Sequence, residues 1–80
     1  MKYFHYTITN EEITGHTIEA TVIPTDFIES EITLTGESIY YKLLNGKITE
    51  VIAEAYHKDV ARQRAQEFLS AFLMTPFESL

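Results

Sequence analysis

Between residues 59 and 74 the apolar side chains Ala61, Ala65, Phe68, Leu69, Phe72 and Leu73 recur at i, i+4, i+7, i+8, i+11 and i+12. In a helix of about 3.6 residues per turn these positions form a single stripe, with Arg62, Gln63, Gln66, Glu67 and Ser70 on the far side. Asp59 is placed to cap the first turn, because a carboxylate there accepts from free N–H groups and complements the helix dipole. Pro76 disfavours helical geometry at Thr75 and so ends the run. No other stretch shows this period. A lone one-striped helix has to bury its apolar side on something else, and the strands before it must supply the surface.

The length suits one small domain over residues 1–80. A chain of this size buries only about 60–65% of its unfolded surface, so its core has little surplus. With 45% apolar residues, five Tyr and five Phe, it has the material for a core and does not read as disordered. It contains no cysteine, which excludes disulfides, thiolate chemistry and Cys-based zinc sites. Apolar runs are only a few residues long, against the ~20 that span a bilayer. The N-terminus Met1-Lys2-Tyr3-Phe4-His5-Tyr6-Thr7 lacks the apolar segment of a signal peptide. The expectation is a cytoplasmic protein with no membrane association.

Charge is unevenly distributed. The net charge is −6, and residues 1–40 hold seven acids against Lys2 alone, while residues 41–80 hold five acids and five bases. The acidic half disfavours nucleic acid, whose phosphates require clustered Lys and Arg. It suits a basic protein partner, and it also serves simply to keep a small domain soluble.

Taken in order, residues 2–9 alternate, with Phe4, Tyr6 and Ile8 on one side and Tyr3, His5, Thr7 and Thr9 on the other. A connection through Asn10 and Gly15 leads to a second strand at about 17–23, with Ile18, Ala20 and Val22 inward and Glu19 outward. Pro24 closes it, lacking an N–H for a ladder. A turn near Thr25 and Asp26 precedes a third strand at about 28–35, carrying Ile28, Ile32 and Leu34 opposite Glu29 and Glu31; Gly36-Glu37 makes the next corner. The alternative is a short helical turn, since Asp26 and Glu29 have capping-box spacing.

Strands at about 38–44 and 47–55 flank Asn45-Gly46, the pair best suited to a type I′ hairpin turn. A regular ladder from that turn pairs Leu43 with Ile48, Tyr41 with Glu50, and Ile39 with Ile52, and on the other side Leu44 with Lys47, Lys42 with Thr49, and Tyr40 with Val51. The tail at 75–80 has capping-box form, Thr75-Pro76-Phe77-Glu78, and offers Phe77 and Leu80 for packing.

The expected architecture is therefore α+β: an antiparallel meander of five strands (four if 24–29 is helical) with one C-terminal helix across one face. The helix would meet Phe4, Tyr6, Ile8, Ile18, Ala20, Val22, Ile32, Leu34, Ile39, Leu43, Ile48 and Ile52. Tyr3, His5, Thr7, Glu19, Thr21, Glu31, Thr33 and Tyr40 would line the opposite face. A helix covers about 10–12 Å and five strands about 20 Å, so part of the inner face is left over, which motivates a homodimer.

Motifs for catalysis are lacking. His5, His16 and His57 have no metal-ligand spacing, and no nucleophile elbow, phosphate loop or dinucleotide glycine pattern is present. The expectation is no metal, no cofactor and no enzymatic activity. Glu50 breaks the pattern, because the hairpin register sets it beside Ile48 and Ile52 on the inner face, where a carboxylate is costly without a partner. Lys58, Arg62 and Arg64 give the helix a basic start that can pair with Glu54 or Asp59.

These features favour a small acidic, non-enzymatic module that regulates another protein by binding it, a description that accessory and phage-type inhibitor proteins fit. Glu19, Glu29 and Glu31, aimed together at one sheet face, and Arg62 on the helix are the candidate partner-binding residues. The competing reading is a small-ligand binder or enzyme with a helix–sheet pocket near Glu50 and Tyr41.

Overall fold

The computed structural model describes residues 1–30 and 38–74. Expectations for Glu31, Ile32, Leu34, the Gly36-Glu37 corner and the tail at 75–80 lie outside the described residues. The strands are β1 (Lys2–Thr9), β2 (Glu12–Ala20), β3 (Ile28–Glu29), β4 (Ile39–Leu44) and β5 (Lys47–Ala55), followed by helix α1 (Lys58–Met74). They form one antiparallel sheet with the helix on one face, the expected α+β fold. The order β2-β1-β5-β4-β3 departs from a simple meander, because the first strand closes against the last.

Alternation in β1 sends Phe4, Tyr6 and Ile8 to the helix, where they meet Val51, Ala53 and Ala55 of β5, Ile39 of β4, and Ala61, Ala65, Phe68 and Leu69 of α1 in one buried cluster. Alanines occupy the start of the helix and the end of β5, which permits close approach there. Farther along α1, large rings fill the space: Tyr41 lies 5.4 Å from Phe68 and 5.7 Å from Phe72, measured between ring centroids. The Tyr6 hydroxyl, deep in the core, donates to the Lys58 carbonyl at 3.1 Å and so ties β1 to the first turn of the helix. That turn opens on His57, whose carbonyl accepts from the Ala61 N–H at 3.0 Å. Asp59 is thus inside the first turn rather than the cap, and still complements the dipole.

Two hairpin turns share one geometry. Asn45 and Gly46 have φ of 54° and 79°, the pair of positive values that a type I′ turn needs. Asn10 and Glu11 do the same at 52° and 68°, so β2 begins at Glu12, five residues before the expected strand. The sequence hides this turn because its second residue is Glu instead of Gly. Gly15, at φ 79°, then sits in a bulge: His5 pairs with Ile18 and Thr7 with Thr14, so Gly15, His16 and Thr17 together face Tyr6.

A second bulge corrects the β4–β5 register. Leu43 pairs with Ile48 and Leu44 with Lys47 as the turn requires, but Lys42 then pairs with Glu50, leaving Thr49 unmatched. The Thr49 hydroxyl donates to the Lys42 carbonyl at 3.5 Å. One extra residue reverses every later side chain of β5. Tyr41 faces Val51, Ile39 faces Ala53 and Tyr40 faces Ile52, instead of Glu50, Ile52 and Val51. Glu50 and Ile52 therefore leave the helix side, and Val51, Ala53 and Ala55 take their place.

The second strand is reversed too. Phe4 pairs with Glu19 and His5 with Ile18, which puts Ile18 and Ala20 on the face away from the helix. β2 is an edge strand that meets the core through Ile13, while Glu19 on its helix side stays exposed, so that position need not be apolar. Ile18 and Val22 are 59% and 71% exposed instead of packed under α1, and Leu43 is also exposed.

Candidate functional site: the uncovered sheet face

β2 and β3 are the two edges of the sheet, so the chain between them has to cross it. It crosses the face opposite the helix, as two contacts show. The Phe27 ring stands edge-on to the His5 ring with centroids 6.2 Å apart. The Asp26 carboxylate meets the Lys42 ammonium at 3.1 Å. A tight turn fixes this strap, the Phe27 N–H donating to the Pro24 carbonyl at 3.1 Å. Ile52, on the same face in register with His5 and Tyr40, is only 2% exposed.

Beneath the strap runs a ladder of charge. Glu50 Oε1 lies 2.7 Å from His5 Nε2, and Glu50 Oε2 lies 3.7 Å from Lys42 Nζ. The ladder joins β1, β5, β4 and the strap through His5, Glu50, Lys42 and Asp26. Its hydrogen bond and charge pairing with Asp26, helped by Glu50, raise the Lys42 pKa above the usual value. This is how Glu50 is satisfied: β5 is a central strand, and the bulge at Thr49 turns the carboxylate toward partners from both neighbouring strands.

Next to the strap lies a cluster without a Lys or Arg ion pair among the described residues. Tyr3 pairs with Glu54 across β1 and β5, and Tyr40 pairs with Glu29 across β4 and β3. Because Tyr40 is level with Ile52 and His5, the two pairs lie diagonally on one face, offset by two residues. The Tyr3 and Tyr40 rings meet at 67° with centroids 6.2 Å apart. Glu54 is held by the adjoining chain: its N–H donates to the Ser38 carbonyl at 3.1 Å, and its Oε1 accepts from the Ser38 N–H at 3.2 Å. The negative charge of Glu54, with slight burial and contributions from Tyr40 and Glu29, raises the Tyr3 pKa. Among the described residues neither Glu29 nor Glu54 has a Lys or Arg ion pair.

The residues expected to bind a partner are not gathered together. Glu19 lies on β2 at the helix side, 3.8 Å from Lys2. Glu29 lies on the opposite edge and the opposite face, four strand spacings or about 19 Å away. The expectation that they share a face fails because β2 is reversed. Glu31 is outside the described residues. Arg62 is exposed on the helix, flanking a shallow hollow with Asp59 and Glu67. Arg64 donates from Nη1 to the Glu54 carbonyl at 3.1 Å, a main-chain form of the expected link to Glu54. Glu50 and Tyr41 lie on opposite faces, so they do not line a common helix–sheet pocket.

A groove of about 480 Å³ does lie on the helix side, between the two hairpin turns and α1. Ile8, Ile48, Leu69 and Phe72 form its apolar floor, with Glu11 and Lys47 at the turns. Among the described residues no group of three or more His, Asp or Glu is arranged to hold a metal, and no helix is long and apolar enough to cross a membrane.

Sequence alternation already put Tyr3, His5 and Tyr40 on the outer face, and that was the available signal for this site. Glu54, Lys42, Asp26 and Phe27 were missed, because their positions depend on the bulge and the strap. Comparison with known proteins yields no match: no family model fits the chain, and no curated protein or solved structure is significantly similar.

Proposed function

We propose that this chain is a non-enzymatic interaction module that binds a basic protein through the sheet face opposite its helix, in the cytoplasm, as an accessory or inhibitor protein does. The observation that carries the reading is the make-up of that face. It presents two tyrosines and two carboxylates without cationic partners among the described residues, bordered by exposed Ile18 and Val22. Aromatic rings and exposed aliphatic groups supply contact area, while the net charge of −6 attracts an oppositely charged surface.

Capture on the immobilised protein, quantified by mass spectrometry, tests this. Glu29→Gln with Glu54→Gln should weaken recovery of the main native partner more at low salt than at high salt, since salt screens charge over about 8–10 Å. Ile18→Ser with Val22→Ser should weaken it at every salt concentration. Gln63→Ala with Gln66→Ala, on the outer helix, should leave it unchanged. Recovery indifferent to both sheet-face pairs, or abolished by the helix pair, would overturn the reading. Self-association of the purified protein through this face would replace it with a homodimer.

The groove favours one competing reading, a small-ligand binder. Its volume lies in the range of ligand sites, about 300–1,000 Å³. Saturable thermal stabilisation by a small apolar compound, lost on Leu69→Trp, would support that alternative.

A further inference from the structure

We infer that the cluster Tyr3, Glu54, Tyr40 and Glu29 is the seat of an arginine side chain of the partner, an inference that rests on the interaction reading above. Main-chain pairing sets Tyr3 beside Glu54 and Tyr40 beside Glu29 on one face, and the two pairs meet diagonally through the tyrosine rings, so their juxtaposition is fixed by register rather than by loop conformation. Both rings are partly exposed and meet at 67°, edge toward face. Such a corner leaves π surface for a cation, which the ring quadrupole attracts. Glu54 is oriented by its two bonds with Ser38, and a carboxylate retains lone pairs beyond the one it spends there.

The neighbouring charges point the same way. The only lysine on β4 is Lys42, and it is engaged by Asp26 and Glu50 under the strap. It therefore neutralises the adjacent ladder and not this cluster. Glu54 and Glu29 stand two strands and two residues apart, about 12 Å across the sheet. That span suits a long, extended cation better than a single ion held by both. Arginine fits more closely than lysine, because its guanidinium is planar, stacks on aromatic faces, is weakly hydrated and bonds carboxylates through a fork.

The experiment is an NMR titration of isotope-labelled protein with tetra-arginine and tetra-lysine peptides, which carry equal charge. The Arg peptide should move the Tyr3 and Tyr40 ring signals and bind about three- to fivefold more tightly than the Lys peptide. Tyr40→Phe, which keeps the ring, should preserve that preference, and Tyr40→Leu should reduce it to near parity. Tyr3→Leu serves as the second variant if Tyr40→Leu does not fold. Equal binding of the two peptides with unmoved ring signals would overturn the arginine seat and leave the basic-partner reading standing. Binding of neither peptide would also overturn the seat, and partner capture by the wild-type protein then decides the broader reading separately. Shifts confined to α1 or β2 would overturn the location.

Discussion

Glu11 holds a backbone conformation that suits glycine, with φ at 68° in the β1–β2 turn. For an L-residue with a side chain the left-handed region costs about 1–2 kcal/mol, although in turns part of that is recovered. Glu11→Gly should therefore stabilise the fold by about 0.5–1 kcal/mol, seen as a higher urea midpoint with an unchanged slope. Gly46 offers the converse: its φ is 79° and nothing lies within 4 Å of where a Cβ would stand. Gly46→Val should thus cost about 1–2 kcal/mol through the backbone alone. Equal midpoints for wild type and both variants would contradict the two assigned turns. At Tyr6, burial raises the pKa above the usual 10.0, against a smaller lowering by Thr17. The folded state therefore holds its proton more tightly than the unfolded chain. This contribution is complete below about pH 10 and is lost as pH rises through the unfolded and then the folded value. Tyr6→Phe should cost about 1 kcal/mol at neutral pH by removing the bond to Lys58. It should also flatten the loss of stability as pH rises above the usual tyrosine value, measured by urea melts at successive pH values.

At the scale of elements, the helix and the strap depend on different forces. Phe68 is fully buried between Tyr41 and Phe72, so Phe68→Ala should cost about 3–5 kcal/mol by leaving a cavity. Gln66→Ala, on the exposed side, should change stability by no more than about 0.5 kcal/mol. Equal urea midpoints for the two would refute the stripe. The strap is held instead by partly exposed ion pairs and one ring contact, and such pairs are weakened by solvent and by salt. Lys42→Met should accelerate hydrogen exchange at the Phe27 amide, as should raised salt in the wild type, while β1 and β5 amides stay protected. Uniform acceleration across the sheet would show that Lys42 supports the whole fold instead.

For the molecule as a whole, one helix over a five-stranded sheet creates two unlike faces. The helix side is filled by the residues that cover β1 and β5, and these are the central strands. Among the described residues the other side is only partly crossed by the strap, and beside the strap it carries the aromatic and acidic cluster of Tyr3, Tyr40, Glu54 and Glu29. That asymmetry is the physical basis of the proposed function: the core needs one face, and binding takes the other. The acids of the first forty residues do not form one patch, since Glu19 and Glu29 occupy opposite edges and faces. Triple replacement of Glu19, Glu29 and Glu31 would therefore mix separate surfaces, whereas Glu29 and Glu54 belong to one.

The sequence by itself determined the class of fold: the 3.6-residue stripe of α1, the alternation of β1 and the Asn45-Gly46 turn. Each is a local pattern that backbone geometry reads within a few residues, and Phe68, Phe4 and Tyr6 are buried as their spacing requires. Tertiary structure decided the rest. A bulge at Thr49 reversed Glu50, Ile52 and Val51, because strand faces alternate with period two and one added residue inverts all that follow. The register of β2 against β1 sent Ile18 away from the helix, because Phe4 on the helix side pairs with Glu19 and the neighbours of Glu19 must then face the other way. The return of β5 beside β1 forced the strap across the open face, bringing Asp26 to Lys42 and Phe27 to His5. None of these is a property of any short stretch. They arise from pairing between residues far apart in the chain, where small differences in total packing and hydrogen bonding choose among registers that local patterns leave equally acceptable.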